Sequence, residues 1–324
     1  MGNLNVAVLG KPGFGAGLGK KGTASDITFY NLKRGEDTVT FIEPTKYPER
    51  LAPLFYAVSI AKMAILVVEK MDAAFGETAL MLHSAGVDKG YIVLAGAAKE
   101  KVTQLVKGTL LERYEFFEGD VNGLREKMVS IASQGVCGAK DKEEKEGGCV
   151  AVDHAFNVKG TGTVVLGTVM QGTVRRHDML KVLPGDKSAQ IRSIQKHDDD
   201  DFESASEGDR VGLALKGVEP EDLDRGTLLN NIPSVSTRKE LEAKAEIHKY
   251  WTEPLEAGTV VHIGHWMQFV PGKIEGVGEG GNSWRNPRLK ISLSKGVAFI
   301  PGSRGVLMRL DGVKPRVVGR IELT

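Results

Sequence analysis

The sequence has only two cysteines among 324 residues, no long apolar run and almost no net charge. Cys137 and Cys149 have neither zinc-ligand spacing nor a second pair, so we expect free thiols instead of a metal site or a disulfide framework. The longest apolar stretch, near Ala64–Val68, is far too short to cross a bilayer, and no signal peptide opens the chain. We therefore expect a cytoplasmic protein with no membrane partner.

The charges are distributed unevenly along the chain. Residues 1–147 hold 19 basic and 19 acidic side chains, residues 148–234 hold 10 and 14, and residues 235–324 hold 14 and 9. The last third therefore carries +5, although the whole chain carries only +1. A polyanion would be attracted to the last third.

The first 147 residues alternate apolar runs with amphipathic stretches. The predicted strands are Val6–Leu9, Asp26–Leu32, Thr38–Glu43, Met63–Val68, Gly90–Ala95 and Tyr114–Phe117. The predicted helices are Tyr47–Ile60, Glu77–Ser84, Lys99–Leu111 and Val121–Ile131. This alternation predicts a doubly wound α/β domain with a mostly parallel sheet and one antiparallel edge. The loops after Leu9, Glu43, Val68 and Leu94 would then line any ligand site.

After a charged connector at 133–149, the helical period disappears. Short strand-like runs such as Thr163–Leu166 and Arg210–Leu215, divided by Gly, Asp and Pro turns, predict a β-barrel or sandwich. A second β segment follows, with Ile232–Ser234 as the predicted border. Its predicted strands are Ala243–Trp251, Thr259–His262, Leu289–Leu293 and Gly305–Leu310. We therefore expect an α/β domain at 1–147 and β domains at 148–234 and 235–324.

A glycine-rich loop after the first strand has the outline of a phosphate-binding loop. Such a loop needs Gly-x-x-x-x-Gly-Lys-Ser/Thr, in which backbone N–H groups, a lysine and a hydroxyl hold phosphates and magnesium. Gly10 and Gly15 have this spacing, but Ala16 and Gly17 stand at the lysine and hydroxyl positions. Four glycines within residues 15–22 also disfavour the helix that normally follows, at roughly 1 kcal/mol each relative to alanine.

Five motifs in the middle third resemble, in order, the second domain of translational GTPases. They are Phe156–Val169, Asp178–Pro184, Ala189–Gln195, Gly208–Val218 and Asp224–Gly226. The resemblance is to elongation factor Tu and archaeal SelB-like factors. It implies a P-loop GTPase-like α/β domain followed by two antiparallel β-barrels, with GTP and Mg²⁺ as cofactors. It also implies aminoacyl-tRNA and the ribosome as partners, with GTP closing the domains on the tRNA, and we expect a monomer.

The sequence departs from this family at each nucleotide motif. The family's Asp-x-x-Gly corresponds to Glu43–Lys46, and its guanine-reading Asn-Lys-x-Asp corresponds to Ala95–Ala98. Losing three or more contacts of ~1.5–3 kcal/mol each would weaken nucleotide binding by about four orders of magnitude or more. The positions that the resemblance assigns to the remnant nucleotide site are Gly10, Gly13, Gly15, Lys20, Lys21, Thr23, Glu43 and Lys46, with Thr28 as the alternative to Thr23.

Four interpretations follow. The first is a SelB-like factor that binds tRNA or a related RNA without a normal GTPase cycle, in which Lys20, Lys21 and Lys46 pair with Glu43 or meet RNA phosphate. The second is a working GTPase in which Lys20 or Lys21 replaces the missing lysine, which the flexible glycines would permit. The third takes Gly17–Gly22 as a dinucleotide-binding fingerprint. The fourth is a structural or regulatory ribosome-associated protein.

The RNA contacts are predicted from residue type. The candidates are Arg175 and Arg176 in the middle domain, and Arg285, Arg288, Arg304, Arg309 and Arg316 in the last domain. Trp284 lies beside Arg285, a combination that suits phosphate contact with base stacking. An ordinary solvated barrel face with a core tryptophan is the alternative. No metal site is predicted, because His262 and His265 lack further ligands and the acidic loop at 198–201 lacks calcium-loop spacing.

Overall fold

The computed structural model describes residues 2–135, 146–196, 201–278, 283–311 and 315–324. We divide them into a first module up to residue 135, a second module from 146 to 230 and a third module from 236 to 324. Cys137, most of the connector at 133–149 and most of the acidic loop at 198–201 lie outside the described residues.

The first module contains a seven-stranded mixed sheet. Its strands are β1 (Asn3–Leu9), β2 (Lys20–Ala24), β3 (Ile27–Arg34), β4 (Asp37–Pro44), β5 (Met63–Val68), β6 (Gly90–Leu94) and β7 (Glu115–Phe116). Their spatial order is β2-β3-β4-β1-β5-β6-β7. The β2–β3 and β3–β4 pairs are antiparallel, and the other neighbours are parallel. The predicted mostly parallel sheet with one antiparallel edge is therefore confirmed.

Four helices accompany this sheet, namely α1 (Ala52–Ser59), α2 (Ala73–Ala85), α3 (Lys99–Val106) and α4 (Val121–Gln134). Helix α2 begins after Asp72, whose carboxylate accepts two backbone N–H groups of the first turn, and ends at Gly86 with φ 83°. Helix α1 starts later than the predicted Tyr47, because Pro48 disfavours helical conformation at the residue before it. None of the helices in the described ranges is long and apolar enough to cross a membrane.

The two faces of the sheet are covered by different helices. Along β1, Leu4, Val6 and Val8 pack in a cluster with α4, while Ala7 and Leu9 pack in another cluster with α1, α2 and α3. This alternation follows from the two-residue side-chain period of a strand. The parallel strands, buried on both faces, are accordingly near-continuous apolar runs.

The second module is an antiparallel sheet. Its strands are β8 (Gly148–Val158), β9 (Gly162–Arg175), β10 (Met179–Leu183), β11 (Ser188–Gln195), β12 (Ser204–Ser206), β13 (Arg210–Lys216) and β14 (Leu228–Asn230). Their order is β12-β9-β13-β11-β10-β14-β8, and β8 pairs with β9 as well as with β14. Cys149 is a free cysteine in this module, and its burial raises the pKa of the thiol.

The third module is a closed barrel, as the resemblance implies, and the sequence pattern predicts four of its six strands. Its strands are β15 (Ser236–Ile247), β16 (Val260–His265), β17 (Gln268–Gly278), β18 (Arg288–Phe299), β19 (Ser303–Met308) and β20 (Val317–Leu323). They close in the order β15-β18-β17-β16-β19-β20. The segment Ile232–Ser234 lies between β14 and β15.

One hydrophobic cluster joins all three modules. Its members include Ile27, Phe29 and Ile42 of the first module, Cys149, Ala151 and Leu228 of the second, and Met267 and Ala298 of the third. Met267 lies in the turn between β16 and β17, where Trp266 and Met267 both have positive φ, 44° and 64°. Bulky residues rarely adopt this conformation, so packing between the modules holds the turn in place.

Candidate functional site

The carboxyl ends of β1, β4 and β5 meet at one edge of the first sheet. The loops that follow these three strands line a cavity of about 230 Å³. Three of the four loops that we expected to surround a ligand therefore do meet at one cavity, while the loop after β6 does not line it. Its volume lies below the roughly 300–1,000 Å³ of ordinary ligand pockets.

The loop after β1 turns sharply on two glycines. Gly10 and Gly13 have φ of 94° and 81°. A Cβ at Gly10 would lie 2.0 Å from the carbonyl oxygen of Val67, so only glycine fits there. Phe14–Gly17 then form a single 3₁₀ turn, and the chain continues as the edge strand β2. The α-helix that the glycine content disfavours is absent from this segment, and an unpredicted strand takes its place, so the loop lacks the helix N-terminus that attracts phosphate.

The carboxylate of Glu43 occupies the N–H groups of this loop. Gly13 N–H donates to Glu43 Oε1, and Gly15 N–H donates to Oε2 at 2.9 Å. Glu43 is only 6% exposed. A Cβ on Gly15 would lie 2.6 Å from the Tyr30 ring and 2.9 Å from Glu43 Oε2, so the glycine makes this approach possible. Glu43 thus binds where a loop of this kind would bind an external anion.

The lysines assigned to the remnant site lie elsewhere. Lys20 and Lys21 are exposed on β2, in register with Asn31 and Tyr30. Lys46 is exposed after β4, and none of the three lines the cavity. Within the described part of the chain, no ion pair of 4.0 Å or less joins them to Glu43. The expected pairing of these lysines with Glu43 is therefore replaced by backbone hydrogen bonds.

The two threonines considered for magnesium contact, Thr23 and Thr28, lie in β2 and β3. Thr28 is buried, and its hydroxyl oxygen lies 2.7 Å from that of Thr45. Thr23 is half-buried in β2. Among the described residues, no group of three or more His, Cys, Asp or Glu side chains could hold a metal ion. Since Glu43 already takes the anion donors, a nucleotide with its magnesium does not fit the loop in this conformation.

The segment expected to read the guanine base follows β6, at Ala95–Ala98. It offers no side-chain acceptor, and Ala98 begins α3 without a side-chain cap. A guanine ring placed here would find no carboxylate partner for its N1–H and amino group. The position of the loop agrees with the family pattern, whereas its side chains do not supply the recognition.

The arginines of the second module lie at a surface turn after β9. Arg175 is exposed, and its backbone N–H donates to Asp178 Oδ2 at 2.8 Å. Arg176 Nε donates to the carbonyl of Arg192 at 3.2 Å, and its Nη1 lies 3.5 Å from Glu203. The side chain of Arg176 thus contacts Arg192 and Glu203 of the same module, whereas Arg175 presents its side chain to solvent.

The arginines of the barrel have different environments. Arg288 and Arg304 are exposed, and each lines a surface cavity of the barrel. Arg285 Nη1 donates to the carbonyls of His248 and Trp251, at 2.6 and 2.8 Å. Arg309 is half-buried, and its backbone N–H donates to the carbonyl of Arg316.

Arg316, predicted as an RNA contact, joins the barrel to α2. Its backbone N–H, Nε and Nη2 all donate to Glu77, at 2.8, 3.0 and 2.6 Å. Glu77 is fully buried. Its hydrogen bond raises the pKa of Arg316 above the usual value. Arg316 is therefore committed to the interface between the first and third modules.

Two arginines of the second module make contacts that residue type did not identify. Arg225 binds Asp26 in an ion pair and donates to Ser25 Oγ at 3.0 Å. Burial alone would raise the pKa of Asp26, but Arg225 lowers it below the usual value. Arg210, paired with the buried Asp153, lies 3.6 Å from the centre of the Phe29 ring. The only sequence signal was that both arginines lie in motifs shared with the family.

Comparison with known proteins finds relatives that match nearly the whole length of the chain. Residues 162–229 match the family described as Elongation factor Tu domain 2. An uncharacterized protein of Methanocaldococcus jannaschii is 36% identical over 324 residues, covering 98% of this chain and 99% of that protein. The selenocysteine-specific elongation factor of the same organism is 27% identical over 274 residues, or 79% of this chain. The chain covers 58% of the length of that factor.

The fold agrees with a solved elongation factor. The crystal structure of SelB from Methanococcus maripaludis, in complex with the GTP analogue GPPNHP, superposes with a TM-score of 0.82 at 23% identity. The alignment covers 100% of this chain and 79% of that one. The arrangement of a mixed sheet followed by β-rich modules is therefore the one found in SelB.

Proposed function

Since the chain belongs to the translational GTPase family of SelB-like and elongation factor Tu-like factors, we propose that it acts as a nucleotide-independent member. In this proposal it binds aminoacyl-tRNA at the ribosome, with weak or absent GTP binding and hydrolysis. It works as a cytoplasmic monomer, and its cargo is an ordinary or a special aminoacyl-tRNA.

The observation that carries this proposal is the position of Glu43. A phosphate entering the loop would have to displace a carboxylate that accepts N–H groups from Gly13 and Gly15. Each hydrogen bond to a charged group contributes about 1.5–3 kcal/mol. Displacing both would thus weaken binding by roughly two to four orders of magnitude, before counting the missing lysine and base-reading aspartate.

The contacts between modules support the same proposal. In the family scheme, GTP closes the domains on the tRNA. Here Asp26 pairs with Arg225 of the second module, and Glu77 pairs with Arg316 of the third. Both pairs join the first module to its neighbours through side chains of the protein alone. We propose that they keep the modules docked whether or not a nucleotide is present.

The domain limits form part of the proposal. We place the GTPase-like domain at 1–147 and the two translation-factor barrels at 148–234 and 235–324. The pairing of β8 with both β9 and β14 makes a ring of β8, β9, β13, β11, β10 and β14, which supports a barrel in the second module. In this arrangement the residues that line the cavity at the remnant nucleotide loop all belong to the first domain.

The decisive experiment measures protection of the ester bond of aminoacyl-tRNAs from hydrolysis, with and without GTP. We expect protection that is the same under both conditions. Labelled GTP and GDP, titrated in parallel, should show no binding in the micromolar range. Guanine-selective, magnesium-dependent micromolar binding would instead support a working GTPase with an unorthodox loop.

A double variant, in which alanine replaces both Lys20 and Lys21, separates that alternative from the proposal. If Lys20 or Lys21 replaces the missing lysine, alanine at both positions should abolish nucleotide turnover. Because both side chains are exposed on the edge strand β2, this change should leave the fold intact. Sedimentation with ribosomes in the absence of tRNA, without any ester protection, would contradict the proposal in favour of a structural ribosome-associated protein.

A further inference from the structure

A row of charged side chains crosses the outer face of the barrel. Arg304 on β19, Glu322 on β20, Lys244 on β15 and Arg288 on β18 are directly in register. All four are exposed, as expected for residues on the same outward face. With neighbouring strands about 4.8 Å apart, the row spans about 14 Å from Arg304 to Arg288.

Two surface cavities flank this row, and Lys244 lines both. The first, of about 390 Å³, also contains Arg304 and Arg320, and the second, of about 560 Å³, also contains Arg288 and Lys290. Because they share Lys244, the two cavities adjoin at the middle of the row, and we refer to them together as the groove. The groove is therefore long enough for an extended ligand.

The charges of the groove are incompletely balanced. Lys290 pairs with Glu242 at 3.0 Å, and Arg320 Nε donates to Glu246 at 2.9 Å. For Lys244, Arg288 and Arg304, the described residues provide no ion pair within 4.0 Å. Three unpaired cations thus face one unpaired carboxylate, Glu322, which favours an anionic ligand with several charges.

Among the arginines that line the groove, Arg304 has a pKa below its usual value. Burial lowers its pKa, and the positive charge of the neighbouring Arg320 lowers it further. The carboxylates of Glu246 and Asp88 oppose this effect, and Glu246 also accepts a hydrogen bond from Arg320, so an internal anion already lies near Arg304. An external anion is therefore favoured more by the unpaired Lys244 and Arg288 than by Arg304.

An exposed tryptophan lies in the segment before β18, two residues before Asn286, which lines the first cavity. Trp284 is 41% exposed, and the guanidinium of Arg285 lies 4.1 Å from the centre of its ring. Arg285 is itself fixed, since its Nη1 donates to the carbonyls of His248 and Trp251. Arg285 therefore positions the ring, and Trp284 presents a fixed aromatic surface only four residues before Arg288.

We propose that this face of the barrel binds a single-stranded segment of RNA. Backbone phosphates lie along Arg304, Lys244 and Arg288, and an unpaired base stacks on Trp284. RNA supplies both phosphate charges and flat bases, whereas an acidic peptide supplies only the charges. This inference rests on the proposed RNA-binding function and extends it from aminoacyl-tRNA in general to an unpaired stretch of the RNA.

The test measures binding of a short unstructured oligoadenylate by fluorescence anisotropy over a range of salt concentrations, with the full chain. Trp284→Ala should weaken binding by about 5- to 150-fold without changing the salt dependence, because stacking is not electrostatic. Trp284→Phe should retain most of the affinity. The double variant Lys244→Ala, Arg288→Ala should lower the slope of log K against log salt by about 1.4, since each lost phosphate contact contributes about 0.7.

Lys295→Ala provides the matched control. Lys295 is exposed on the same strand, β18, but lies outside the groove, so its loss removes one positive charge, half of the change in the double variant, without altering the groove. Unchanged binding by Trp284→Ala, or an equal loss with Lys295→Ala, would overturn the inference. So would full competition by polyglutamate. Ester protection of aminoacyl-tRNA keeps the two proposals apart. Protection that is insensitive to Trp284→Ala leaves the function standing, while oligoadenylate binding without protection leaves only the groove.

Discussion

Replacing Glu43 with alanine removes the acceptor of two N–H groups in the glycine-rich loop. Gly15 is buried, so its N–H would be left without a partner, while water can reach Gly13, which is exposed. Hydrogen bonds to a charged group contribute about 1.5–3 kcal/mol each, and an unsatisfied buried donor costs about 1–3 kcal/mol. Allowing for hydration of Gly13, we expect Glu43→Ala to destabilise the first module by about 2–4 kcal/mol.

The assay for this variant is differential scanning calorimetry combined with hydrogen exchange. At about 2–4 °C per kcal/mol, the midpoint of the transition that includes the first module should fall by about 4–16 °C. The amide of Gly15 should exchange faster, because its acceptor is gone. Glu43→Gln retains the shape and one carbonyl acceptor, so it should lie between the wild type and Glu43→Ala.

The control for this experiment is Glu69→Ala. Glu69 lines the same cavity and pairs with Lys11 at 2.8 Å, but both side chains are more than 40% exposed. An exposed pair of this kind contributes only about 0–1 kcal/mol. If Glu43→Ala unfolds at the same temperature as Glu69→Ala, or if Gly15 exchange is unchanged, then Glu43 does not hold the loop and our reasoning fails.

Further predictions concern the interfaces between modules and their pH dependence. Arg316→Ala leaves the fully buried Glu77 without its partner, so we expect a loss of about 3–5 kcal/mol and a lower Tm, partly recovered in Arg316→Lys. Burial lowers the pKa of His248 to about 3, so folding favours its neutral form. Stability should be lost as pH falls from about 6.5 towards 3, by about 2 kcal/mol at pH 5, and His248→Gln should flatten this part of a denaturant-unfolding series against pH. Arg225 holds the pKa of Asp26 below its usual value despite burial, so this pair stabilises the fold above about pH 4 and is lost as pH falls through the folded pKa. Asp26→Asn should remove that contribution in an acid titration followed by circular dichroism.

The elements of the fold follow from local patterns in the sequence. The predicted hairpin at Asp26–Leu32 and Thr38–Glu43 is present as the β3–β4 pair, because alternating apolar residues flank a turn of Lys, Arg and Gly. The parallel strands are apolar throughout because both faces are covered. The β character of the last third follows from short strands divided by turn residues, whereas its closure into a barrel is implied only by the family resemblance. These signals need no knowledge of distant contacts.

The role of Glu43 could not be predicted in the same way. The charge pattern suggested that Lys20, Lys21 or Lys46 would neutralise it, since only side-chain charges are visible in a sequence. The structure uses backbone N–H groups instead, and these depend on the φ values of Gly10 and Gly13. Glutamate is one methylene longer than the aspartate expected at this position, which gives the carboxylate additional reach into the loop.

Residue type also failed to distinguish arginines that face solvent from those that bind the protein itself. Glu77, the partner of Arg316, lies 239 positions away in the sequence. The acceptors of Arg285 are backbone carbonyls, which every residue has. No local pattern marks either contact, so only the packing of the modules against each other identifies them. Arg288 and Arg304, by contrast, remain exposed in the groove of the barrel.

The end of the β3–β4 hairpin that carries Asp26 and Glu43 contacts both the glycine-rich loop and the second module. Glu43 ties this end to the loop after β1, and Asp26 ties it to Arg225 of the second module. Between them, the hydroxyl groups of Thr28 and Thr45 are hydrogen-bonded, and the N–H of Thr45 donates to the carbonyl of Asp26. The segment that the family uses to sense a nucleotide is thus fixed on both sides by groups of the chain itself. Under the proposed function, docking of the second module requires no bound phosphate, and RNA affinity that differs between GTP and GDP would show that the hairpin is not fixed in this way.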